Sequence, residues 1–145
     1  MNTKVCLFAA LCACTSIAVA GEVDTRTIVP LSAPHRAMVL AEMRQFLSGL
    51  EQLMAALSKD DMETVARVAH SLGSPMTHHV PADLKQALPE AFRKLGFSVH
   101  ADFDQIALDA ESLGDGKHTL SQLGEALSRC VSCHNAYQIH VVAGP

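Results

Sequence analysis

The sequence predicts an all-α protein, an antiparallel four-helix bundle. Three observations predict it. Four stretches carry apolar residues at alternating spacings of three and four, the period of a helix seam. No stretch alternates apolar and polar residues as a half-buried strand does. The connections are short except for one crossover between the second and third helices, so consecutive helices are antiparallel neighbours.

The chain opens with a signal-like segment over 1–20. Lys4 gives a positive start, Val5 to Ala18 form an apolar run, and Ala18-Val19-Ala20 is a small-x-small cleavage site before Gly21. That run spans 14 residues, whereas a bilayer crossing needs roughly 20. Processing as a lipoprotein at Cys14 fits less well, because Cys12 is an unusual residue for a lipobox. The expected location is the periplasm, with no membrane span.

An extended leader follows over 21–32, containing Thr25, Thr27, Ile28, Val29 and Pro30. The bundle domain is expected over 33–138, with a tail over 139–145. The first helix runs from about Ser32, which caps it, to Leu57. Pro34 is tolerated in its first turn. Its seam is Leu40, Met43, Leu47, Leu50, Met54, Leu57. The second runs from about Lys59 to Leu72, with Ser58 and Asp61 as a capping pair. Its seam is Met62, Val65, Ala69, Leu72, and Gly73 stops it.

Residues 73–88 read as a linker containing Pro75, His78, His79 and Pro81, with one helical turn near Leu84 to Leu88. The third helix starts near Pro89 and stops at Gly114, striped by Phe92, Leu95, Val99, Phe103, Ile106, Ala110 and Leu113. Asp115-Gly116 forms a turn. The fourth helix is expected from His118 or Thr119, with Thr119 and Gln122 as a capping box. Its seam is Leu120, Leu123, Leu127, Cys130, His134, Tyr137.

Cysteine usage narrows the chemistry. Cys6, Cys12 and Cys14 fall within the signal segment, leaving Cys130 and Cys133 in the mature 125 residues. They form Cys130-Val131-Ser132-Cys133-His134, the C-x-x-C-H pattern of covalent haem c attachment. Two thiols add across porphyrin vinyl groups, and the adjacent imidazole ligates iron. One helical turn brings all three toward one macrocycle. The seam aims the motif into the bundle. A disulfide remains an alternative for an exported chain. A redox dithiol more often sits at a helix start. A zinc site needs about four ligands, and no second pair exists.

The mature chain keeps 10 of the 11 basic residues, losing Lys4, against 15 acidic ones, for a formal charge of −5. That balance argues against nucleic acid and favours a basic redox partner protein. No G-x-S-x-G, P-loop or H-E-x-x-H is present, so the chain is not expected to be an enzyme. Asp60-Asp61 reads as an acidic pair at a helix N-terminus.

Helical stripes over 33–138, the motif on the last helix and Tyr137 three residues beyond His134 together resemble the cytochrome c′ family. That family includes low-spin relatives of the c556 type. The resemblance implies one haem inside the bundle, His134 as proximal iron ligand, a distal residue from the first helix, and a homodimer through that helix. Two departures mark a divergent subgroup. Gln138 stands where members often carry Arg or Lys, and the 73–88 linker with His78-His79 has no counterpart.

The sixth ligand decides between electron transfer and gas binding. Met43 lies on the first seam, about nine residues into its helix, and meets the height of His134. Met38 is about 7.5 Å away along the axis and off the seam, and Met54 is about 16 Å further on. Met62 lies at the remote end, and Met76 in the linker. Met43 is the candidate distal ligand, although core methionines commonly fill gaps. With Leu40 or Met43 merely covering the distal face, the alternative is a five-coordinate protein that binds NO or CO.

Among the histidines, His35 and His118 at helix starts read as solvated, His140 as part of an unstructured tail, His70 as partly buried, and His78-His79 as loop residues. His100 stands next to the third seam, within reach of a haem edge or propionate. Arg36 and Arg44 read as exposed cations. The resulting expectation is an exported mono-haem cytochrome that passes single electrons, held through Cys130, Cys133 and His134.

Overall fold

A computed structural model describes residues 23–142. The expected signal segment with Cys6, Cys12 and Cys14 lies outside the described residues, as does the end of the tail. The elements are β1 (Thr27–Leu31), α1 (Ala33–Leu57), α2 (Met62–Leu72), α3 (Ser74–Thr77), α4 (Ala82–Ala87), α5 (Glu90–Leu113), α6 (Gly116–Ala136) and β2 (Tyr137–Val141). The chain is mostly helical, as the sequence predicts.

Local chemistry sets the boundaries. Ser32 caps α1, its hydroxyl accepting the His35 amide at 3.3 Å, and Pro34 sits in the first turn. Asp60 then adopts a left-handed φ of 53°, a conformation that aspartate visits more readily than most residues. Asp61 caps α2 by accepting the Thr64 amide at 3.0 Å. Gly114, at φ 63°, closes α5 in the left-handed region.

The start of α6 differs from expectation. Asp115, not Thr119, caps it, accepting the amides of Lys117 at 2.9 Å and His118 at 3.1 Å. Thr119 lies inside the helix, fully buried, its hydroxyl donating to the Asp115 carbonyl. A carboxylate that accepts two first-turn amides outcompetes a hydroxyl placed one turn later.

Packing runs from α1 to α2, α2 to α5 and α5 to α6. Gly49 permits the first contact: a Cβ there would stand 2.5 Å from Leu72 Cδ1. Leu53, Val65, Phe103, Ile106 and Leu123 fill the main core. Each such side chain, fully buried, stabilises the fold by ~1.5–3 kcal/mol.

A second, smaller core was not legible as such. Residues expected as leader, as the end of the fourth helix (Tyr137 and Gln138) and as tail form a two-stranded parallel sheet, in register from Thr27↔Tyr137 to Leu31↔Val141, so Tyr137 leaves the helical seam for a strand. Val29 and Leu31 point from it onto Val39 and Leu84, with Phe92, Tyr137 and Ile139 around them. Tyr137 meets Phe92 edge-on at 5.3 Å. The alternation is short and interrupted by Pro30, an edge-strand residue.

The seams also rotate. In α1 the buried positions are Val39, Gly49, Leu53 and Ala56. Of the expected seam, Leu40, Leu50 and Leu57 are half-buried, while Met43, Leu47 and Met54 are exposed. In α6, Thr119, Leu123 and Ala126 are buried and Leu120 is exposed. A strict seven-residue repeat drifts around a helix of 3.6 residues per turn. Both helices also carry apolar sectors wider than one neighbour covers.

The start of α1 and the end of α6 are joined through the paired strands. At the other end, Leu57 of α1 lies 3.7 Å from where a Cβ on Gly116 would stand. Between these ends the two helices barely touch.

Candidate functional site

The last two turns of α6 hold Cys130, Cys133 and His134. Cys130 is half-buried against the main core, and Cys133 is half-buried one turn later. His134 is exposed, so the motif straddles the edge of the helical core rather than pointing wholly inward as its seam predicts. Both thiols are free. Burial pushes both thiols up, with the Asp102 charge adding to the effect at Cys130. An activated redox dithiol needs the opposite shift.

Beside His134 lies a shallow depression of about 360 Å³ lined by Val23, Asp24, Thr25, Arg26, His134 and Asn135. Arg26 Nη1 donates to the His134 carbonyl at 3.3 Å and the Tyr137 carbonyl at 3.4 Å. These carbonyls close a helix and lack intrahelical partners. Asp24 accepts from Arg26 Nη2 at 2.6 Å and Nε at 3.0 Å. Its carboxyl is thereby held low, at about 2. Sequence reading missed Arg26 entirely, since only the strand pairing of Thr27 with Tyr137 brings it here.

Met43 is 37% exposed on α1. With Leu40, Leu47 and Met54 it forms a stripe beside the packed face, by helical spacing. On α6, Leu120, Leu127 and Val131 recur at spacings that share a stripe leading to His134. Leu120 and Val131 are exposed. Met38 is also exposed, whereas Met62 and Met76 pack partly against the main core.

His100 lies on the packed face of α5. It is buried, 5% exposed, and both ring nitrogens are engaged. Nδ1 lies 2.8 Å from the Leu72 carbonyl and Nε2 lies 2.9 Å from Glu42 Oε1. A carbonyl and an ionised carboxylate only accept, so both bonds call for the imidazolium. Burial opposes that charge, but the Glu42 hydrogen bond and the Leu72 carbonyl overcome it and raise the histidine above its ordinary value. Glu42 was missed as well. Its signal was a carboxylate at spacings of four, three and four from Phe46, Gly49 and Leu53, all on the packed face.

The remaining histidines are dispersed. His35 pairs with Asp83 at 3.1 Å and His118 with Asp109 at 3.3 Å. His140 meets Gln138 Oε1 at 2.9 Å within β2, and His70, His78 and His79 are exposed. Among the described residues, no three His, Cys, Asp or Glu side chains converge as holders of a bare metal ion.

No protein-family model, curated protein or solved structure matches this chain. Among the described residues, no helix is long and apolar enough to cross a membrane.

Proposed function

We propose that the protein is an exported mono-haem c-type cytochrome that carries single electrons. In this reading α1, α2, α5 and α6 form an antiparallel four-helix bundle. A haem c fills the side on which α1 and α6 barely touch. Cys130 and Cys133 hold it through thioether bonds, and His134 is the proximal iron ligand.

One observation carries this reading. Two half-buried thiols and an exposed imidazole sit one turn apart on α6, on the helix whose neighbour α1 leaves an apolar stripe uncovered. The donor set fits the group. A macrocycle takes thiols along its edge and imidazole on its face, so the three side chains need not converge on one point as a zinc ion demands. Exposed Met43, Leu47, Leu120 and Val131 supply apolar surface of the kind a porphyrin covers.

When bound, the haem supplies a one-electron iron couple. The chain's own residues do the rest. Cys130 and Cys133 would hold the group to α6, His134 would ligate its iron, and the α1 stripe would shield it from water. Met43 is the proposed sixth ligand, being the methionine of that stripe that lies in the first half of α1. The negative surface of the mature chain suits a basic periplasmic redox partner.

A gas-binding protein of the cytochrome c′ type is the second reading. It is favoured by half-buried Leu40, one turn before Met43 on the same stripe, which would cover the distal face without ligating. The optical spectrum of the reduced protein with and without CO separates the two. Electron transfer predicts a low-spin spectrum unmoved by CO. A high-spin spectrum that shifts with CO rejects it in favour of gas binding.

A further inference from the structure

We propose that Arg26 and Asp24 form a charge pair that tunes the potential of the haem held by α6, Arg26 acting as a positioning residue at the His134 carbonyl. The inference rests on the haem reading above.

The geometry is specific. Arg26 comes from before β1, 108 residues from His134, and is carried there by the parallel strand pair. Gln138 Nε2 donates to the Arg26 carbonyl at 3.1 Å, fixing the backbone. Asp24 fixes the guanidinium through Nε and Nη2 and also accepts the Arg26 amide at 3.1 Å. The cation is therefore aimed at the negative end of the α6 dipole, beside the ligand residue. The anion stands behind it, in the same depression.

The two charges have opposite consequences for an iron that gains positive charge on oxidation. A fixed cation nearby disfavours the oxidised state and raises the potential, and a fixed anion lowers it. Both side chains are partly exposed, at 41% and 44%. The effect is accordingly screened by salt, with a Debye length of ~10 Å at 0.1 M. A purely mechanical strap behaves differently. Removing either partner loosens the same segment, and the potential moves in the same direction for both.

The test measures midpoint potentials of the haem-loaded protein by spectroelectrochemistry, at low and high ionic strength. Arg26→Gln is expected to lower the potential, Asp24→Asn to raise it, and Arg26→Lys to stay near the parent. Both shifts shrink in high salt. In the haem-free chain, Arg26→Gln also speeds amide exchange in the last turn of α6. Shifts of the same sign, no shift, or shifts indifferent to salt overturn the proposal and leave the haem reading standing. A parent protein that takes up no covalent haem overturns both.

Discussion

Nε2 of His100 lies 2.9 Å from Oε1 of Glu42, and the same ring's Nδ1 lies 2.8 Å from the Leu72 carbonyl. One buried imidazolium thus ties α5 to α1 and to the end of α2. Phe46 packs on the ring at a centroid distance of 5.1 Å. The tie sits on the packed face of α1, close to the stripe that carries Met43.

The sign of its pH dependence follows. The folded-state value of His100 is raised above its unfolded one, so its stabilisation is complete below the ordinary histidine range. That stabilisation is lost as pH rises through the raised folded value. Glu42→Gln is expected to cost about 1–2 kcal/mol at pH 6, from a weakened charge-assisted bond. The cost fades at alkaline pH. Urea denaturation of the haem-free chain between pH 5 and 9 checks it, and a cost that is constant across this range rejects the ionised pair.

The thiols give a second prediction. Burial raises both Cys130 and Cys133, so little thiolate exists at neutral pH. Iodoacetamide is expected to alkylate the folded, haem-free chain more slowly than free cysteine at pH 7, with the rate climbing only at alkaline pH. Faster labelling than free cysteine at pH 7 marks an activated dithiol and argues against a purely attaching role.

Much of this was legible beforehand because it is local. Ser32, Pro89 and Gly114 mark helix ends by capping and backbone preference, and the structure uses each of them, whereas the second helix starts later than expected, capped by Asp61 alone, with Ser58 closing α1. Cys130, Cys133 and His134 were legible as a spacing. What was not legible depends on pairings across the chain. Val29 and Leu31 read as leader until Tyr137 and Ile139 lie alongside them. Glu42 stands out only once His100 faces it. Arg26 stands out only once β1 delivers it to α6. The phase of α1 was misjudged for a related reason. Its apolar sector is broad, and only the close approach at Gly49 decides which side meets α2.

Met43 provides a third prediction. Met43→Ala is expected to turn a low-spin haem spectrum high-spin and to admit CO. Met54→Ala, further along the same stripe and 52% exposed, is expected to leave the spectrum unchanged. Each change removes a side chain more than a third exposed, so neither is expected to unfold the protein. A Met43→Ala spectrum identical to the parent's rejects Met43 as a ligand.

The central claim is that α6 carries a covalent haem. Its most direct test is the intact mass of the exported protein after coexpression with a cytochrome c maturation system, read alongside a denaturing haem stain. The account predicts one haem added to the mature chain, and its loss as a stable adduct in the Cys130→Ala, Cys133→Ala double variant. A mature protein at its polypeptide mass, with Cys130 and Cys133 free or joined in a disulfide, would contradict it.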